Sequence, residues 1–293
     1  MKTKLPKNSQ HIKNKLGLIK SKILAVGEGK IDKIILFGSY GRGDWVKDMY
    51  MEGHITYSYE SDLDILIILK KGKYSHTKAI NMEYKIAKKL EEKQLERDPW
   101  VTIIIEPISA VNEQLRIGQY FFSDIKKEGI LLYDSGTHEL SEPAELDKDE
   151  VRKIAQDDYD YWYNRGIEFF TGVSFYAFER NQPSIAAFHL HQATESFYNA
   201  ILLVFTGYKP KTHDIKKLKG MVNSYHEDLL KIFHFDTQEQ TRCFGLLRDA
   251  YVEARYNKNY KITEEQLNYL TERVEKLKNV TEKICLAKIE SYR

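Results

Sequence analysis

Two short stretches carry residues that could do chemistry together. The first is Phe37-Gly38-Ser39-Tyr40-Gly41-Arg42-Gly43-Asp44 and the second is Ser61-Asp62-Leu63-Asp64. Ile34-Ile35-Leu36-Phe37 is a continuous apolar run that ends in glycine, the pattern of a buried strand emptying into a tight turn. Ser39 then sits where a helix should begin, so its hydroxyl and the open backbone N–H groups could hold a phosphate. Arg42 follows within reach, either as a helper or in an ordinary salt bridge. Asp62 and Asp64 open a second apolar run that extends to Leu69. Side chains alternate across a strand, so both acids point to one face. Two acids held side by side repel, and a divalent cation between them relieves the repulsion.

The elements that must position these groups follow from periodicity. Apolar residues at Ile12, Leu16, Ile19, Ile23 and Val26 mark an amphipathic helix over 9–27 that ends at Gly27. Strands are expected over 31–37, 62–69 and 101–105, with an edge strand at 130–133. A helix over 75–96 stands between the second and third strands, with Ile80, Tyr84, Ala87, Leu90 and Leu95 toward the sheet; Asp98-Pro99 stops it. Residues 109–127 are weakly helical. Strand, helix, strand with short links predicts an α/β (α+β) layer with a small mixed sheet. Residues 134–147 form a connector without periodicity, and the domains are drawn at 1–135 and 148–293. From Asp149 the pattern is helical throughout, over 149–178, 184–206, 214–231, 238–256 and 263–290: an all-α up-and-down bundle.

Gly38-Ser39 followed by Asp62-x-Asp64 on an apolar strand resembles the DNA polymerase β-like nucleotidyltransferase superfamily, in particular its minimal, kanamycin-nucleotidyltransferase-like members. The resemblance covers about 30–135. The connection from Ser39 to Asp62 is longer than usual for that family, and the excess, about Trp45 to Tyr59 and containing Gly53, reads as an inserted helix extension or hairpin. The resemblance implies Mg2+ on Asp62 and Asp64, an NTP (ATP is expected) as substrate, and Gly38, Ser39 and Arg42 as nucleotide-binding residues. It also implies a third acid on a neighbouring strand. Glu106 is the match, either completing the metal site or acting as general base, with Glu195 as the alternative base.

In the helical half, Ala186, Leu190, Ala193, Phe197, Ile201 and Val204 make one apolar face of helix 184–206. His191 and Glu195 share the opposite side with Phe188 and Leu202, a face expected to meet the first domain or a second copy, hence a homodimer. Arg248 and Arg255 lie on one stripe with Phe244 and Tyr251, placed to clamp phosphate or to make salt bridges within the bundle. The segments Phe188–Glu195, Pro210–Asp214 and Glu253–Tyr256 together resemble a HEPN domain over about 150–290. Ribonucleases of that family carry Arg-x4–6-His. Here Arg255 is followed by Tyr260, Lys261 and Ile262, so no imidazole serves as general acid or base and RNA cleavage is not expected.

The whole reading is a Mg2+-dependent transfer of a nucleoside monophosphate to an acceptor hydroxyl, on a small molecule or a protein. The alternatives are a toxin–antitoxin type protein that modifies a protein Tyr or binds RNA, and a non-catalytic nucleotide sensor. A net charge of +2 argues against duplex nucleic acid as the main partner. Lys20 and Lys22 interrupt the one apolar stretch near the start, so neither a leader nor a membrane span is expected, and the cytoplasm is the expected compartment. Cys243 and Cys285 sit in helical patterns and suggest no disulfide framework.

Overall fold

The computed structural model describes residues 1–52, 55–72 and 76–292, with the backbone alone described for 48–52, 55–60 and 76–78. The chain divides into two compact units, Met1–Glu145 and Leu146–Arg293.

In the first unit the elements are α1 (Lys13–Gly27), β1 (Ile31–Phe37), α2 (Gly38–Arg42), β2 (Lys47–Glu52), β3 (Ile55–Glu60), β4 (Leu63–Leu69), α3 (His76–Glu91), β5 (Val101–Pro107), α4 (Ile108–Arg116), α5 (Tyr120–Glu128) and β6 (Ile130–Asp134). A four-stranded sheet runs in the order β5-β4-β1-β6, and β2 with β3 forms a separate two-stranded sheet. Only the β4–β5 pair is parallel, so the sheet is mixed. Alternate residues of β4 (Leu63, Ile65, Ile67) join a core with Leu16, Ile19 and Ile86 from α1 and α3. The other face meets α4 and α5, where Phe37 packs edge-on against Phe121. Helices on both faces explain why residues 34–37 of β1 and 65–69 of β4 read as continuous apolar runs rather than alternating ones.

The inserted stretch is the β2–β3 hairpin; Gly53, at its tip in the sequence, lies outside the described residues. The expected stripe of α3 holds only toward its C-terminal end: Leu90 is buried and Leu95 packs on the core, whereas Ile80, Tyr84 and Ala87 are exposed and Ile86 is buried instead, because a stripe drifts on a helix of 3.6 residues per turn. The weakly helical stretch 109–127 forms two helices, α4 and α5, separated at Gly118 with φ +75°.

The second unit contains α6 (Lys148–Ser174), α7 (Pro183–Thr206), α8 (Ile215–Val222), α9 (Gln238–Asp249), α10 (Glu253–Tyr256) and α11 (Glu264–Glu290). Capping boxes at Asp147/Glu150, Thr237/Gln240 and Thr263/Gln266 set where α6, α9 and α11 begin. Helix α7 enters through Pro183 and leaves at Gly207 in the left-handed region. Apolar nearly all round, α7 is the buried axis of the bundle, with α6, α8 and α11 packed on it. Each fully buried Leu, Ile or Phe on it contributes about 1.5–3 kcal/mol. Among the described residues no helix is long and apolar enough to cross a membrane.

Candidate active site

The glycine turn and the acidic pair, far apart in sequence, meet at one end of the sheet. Phe37, the last residue of β1, is the antiparallel partner of Asp64 on β4. The next residue, Gly38, has φ +68°, and a Cβ there would lie 2.2 Å from Asp64 Oδ2. Glycine is therefore required twice, for its backbone angle and for the space the carboxylate occupies. Ser39 follows in the first turn of α2, and its carbonyl accepts from the Gly43 and Asp44 N–H groups, at 2.7 and 3.1 Å, closing that turn.

Asp62 and Asp64 are half-buried on the sheet face shared with α4 and α5. Burial, and then the charge of Asp62, push the Asp64 carboxyl well above the usual carboxylate range, against a smaller opposing pull from Arg42. Arg42 is itself paired with Asp44, Nε to Oδ2 3.0 Å. Gly38, Arg42, Asp62 and Asp64 thus share one neighbourhood. Two acids made uncomfortable by each other are a fitting donor set for a divalent cation that also takes phosphate oxygens. Among the described residues, no three His, Cys, Asp or Glu side chains gather as a metal-binding group.

Glu106 is not where the third acid was expected. Parity does put it on the correct face, but the parallel register sets it beside Ile68, while Asp64 lies beside Thr102. Four residues of strand, about 13 Å, separate Glu106 from the acidic pair. It is buried at the far end of β5, ahead of Ile108 in α4, and neither completes the cation site nor sits as base beside it. The residue that sequence reasoning missed is Thr102, whose hydroxyl donates to Asp62 Oδ2 at 3.2 Å. Its even spacing from Glu106 along β5 was the available signal; the register between β4 and β5 was not.

In the second unit, Glu195 sits in a buried polar cluster. The Leu247 carbonyl faces His191 Nδ1 at 3.0 Å, so that nitrogen carries the hydrogen and donates. His191 Nε2 lies 3.7 Å from Glu195 Oε2. His213 Nδ1 donates to both carboxylate oxygens at 3.0 and 3.1 Å, and its ring stacks on Tyr251, 4.4 Å between centroids. Burial raises the Glu195 carboxyl, but the two imidazoles beside it, His191 at 3.7 Å and His213 in hydrogen bond, outweigh it and leave the group below its ordinary range. The second face of α7 is thus covered within the bundle by α9, Tyr251 and His213. Arg248 pairs with Asp249 at 2.9 Å, whereas Arg255 stacks on Tyr251 and Phe188 and donates to the Tyr251 carbonyl. Tyr260, standing where an imidazole would be needed, donates to the Leu246 carbonyl at 3.0 Å.

Residues 159–284 match the HEPN domain. The second unit carries a HEPN domain. A curated protein of Methanocaldococcus jannaschii named "Putative protein adenylyltransferase" is 40% identical over 65 residues, 21% of this chain and 61% of that protein. The chain therefore spans about three-fifths of the length of the curated relative it matches. A nucleotidyltransferase unit joined to a HEPN domain is consistent with both likenesses.

Proposed function

We propose that the first unit transfers a nucleoside monophosphate, AMP from ATP, to a hydroxyl of a protein side chain. The observation that carries this is the approach of the Gly38 backbone to Asp64 of the acidic pair, too close for any other residue at 38. Asp62 and Asp64 would hold Mg2+, which when bound neutralises the triphosphate and the charge that builds on the departing pyrophosphate. Gly38 and Ser39 hold the outer phosphates through backbone N–H groups and the Ser39 hydroxyl. Arg42, exposed and paired with Asp44 at the surface, swings to the same phosphates. The acceptor oxygen bonds to the α-phosphorus as the bond to the β-phosphate oxygen breaks. Pyrophosphate leaves with that electron pair, and the hydroxyl proton is released. Positioning and charge neutralisation supply most of the rate.

A protein acceptor draws its support from the name of the Methanocaldococcus jannaschii relative. The test is incubation of the chain with α-labelled ATP and Mg2+ alongside candidate proteins and small molecules. Label on protein with pyrophosphate release is the expected result. Label on a small molecule alone would move the acceptor class, and ATP binding without turnover would leave a nucleotide sensor in place of an enzyme.

A further inference from the structure

The register that removes Glu106 from the site puts Thr102 into it. Thr102 is the strand neighbour of Asp64, and its hydroxyl donates to Asp62. One side chain from β5 therefore touches the pair at the level where a third ligand would stand. A threonine there supplies a hydrogen bond but no charge. Its β-branch holds χ1 in a narrow range, so the hydroxyl stays aimed at Asp62. Such outer contacts fix the orientation of a ligating carboxylate and its basicity.

We infer that this is a one-cation site in which Thr102 is the positioning residue for Asp62. The inference rests on the nucleotidyl-transfer reading only in taking the two aspartates as cation ligands. Two carboxylates together with oxygens of the bound triphosphate would make the donor set of a single divalent cation. A second cation at close range would need a further bridging or terminal acid, since two like charges at this distance repel strongly. Among the described residues none is grouped with the pair to supply it.

The experiment counts Mn2+ bound per chain, by electron paramagnetic resonance titration with a non-hydrolysable ATP analogue, in the full-length protein. Wild type should bind one, and two would overturn the inference. Thr102→Asp should bind two; if it binds one, the missing acid is not what limits the count. Thr102→Val, nearly isosteric, should still bind one but about 10-fold or more weakly, with Thr102→Ser close to wild type. Circular dichroism confirms that the variants are folded, and a Val variant that binds as wild type removes the positioning role. Should wild type bind one Mn2+ yet transfer no label, the transfer reading fails and the one-cation site stands. No bound Mn2+ at all would sink both.

Discussion

Asp64 answers to two demands that oppose each other. Burial and Asp62 raise its carboxyl above the value of about 3.8 it has in an unfolded chain. A group raised on folding gives stability that is present below its unfolded value and is lost as pH rises through the folded one. In chelator at neutral pH, Asp64→Asn should therefore melt at a higher temperature than wild type, the gap closing as pH falls through the raised folded value and gone by about 3.8. The same variant should lose roughly 10²–10³ in transfer rate, the scale of removing one preorganised electrostatic contact. Adding Mg2+ and ATP should narrow the melting gap by stabilising wild type alone. An Asn variant that melts below wild type at neutral pH would contradict the penalty assigned to this acid. Gly38 makes a complementary case. Alanine there meets both the +68° backbone angle and the Asp64 carboxylate, so Gly38→Ala should cost about 1–3 kcal/mol by urea unfolding and displace Asp64 enough to abolish label transfer. Gly17→Ala, in α1 with nothing within 4 Å of the added carbon, should instead stabilise by about 0.5–1 kcal/mol.

At the scale of elements, what the sequence discloses is the half of each contact that lies within one segment. The core stripe of α7 from Ala186 to Val204 is legible because 3.6-residue spacing marks it, and all six of its residues are buried. The other stripe is not legible in the same way, because its partners, the Leu247 carbonyl and His213, arrive from segments that spacing does not connect. Parity likewise tells that Asp62 and Asp64 share a face, but how far β5 slides along β4, and so which residue of β5 stands beside the pair, cannot be counted off locally. The α7 cluster yields a test of its own. Glu195 is lowered on folding from 4.5, so its contribution is present above that value and lost as pH falls through the lower folded one. Thermal melts of the chain and of Glu195→Gln should both lose stability in acid, the wild type more steeply below about 4.5. Parallel curves would mean that the two histidines do not hold the carboxyl down.

For the molecule as a whole, the decisive question is where the first unit ends. Composition placed the end at 135, since 134–147 reads as a structureless connector. The structure keeps those residues with the sheet, and the chain divides at Glu145/Leu146. The reason is Asp32, a fully buried acid on a central strand. Its Oδ1 accepts from the Ser135 hydroxyl at 2.7 Å and from His138 Nδ1 at 3.1 Å, while Lys33, also buried, reaches Oδ2 at 3.4 Å and Asp134 at 2.7 Å. Farther on, Ala144 N–H donates to the Leu115 carbonyl and Lys126 pairs with Glu142. A carboxylate taken out of water needs those donors, and the connector is where the chain finds them. Residues 1–145 expressed alone should accordingly unfold at higher urea than residues 1–135, by about 1.5–3 kcal/mol for the charged hydrogen bond lost with His138. His138→Ala in the longer piece should recover most of that difference, and Asp32→Asn should shrink the gap between the two lengths because the neutral amide loses less with its donor. Equal stability of the two pieces would return the boundary to 135 and leave Asp32 satisfied by Lys33 and Ser135 alone.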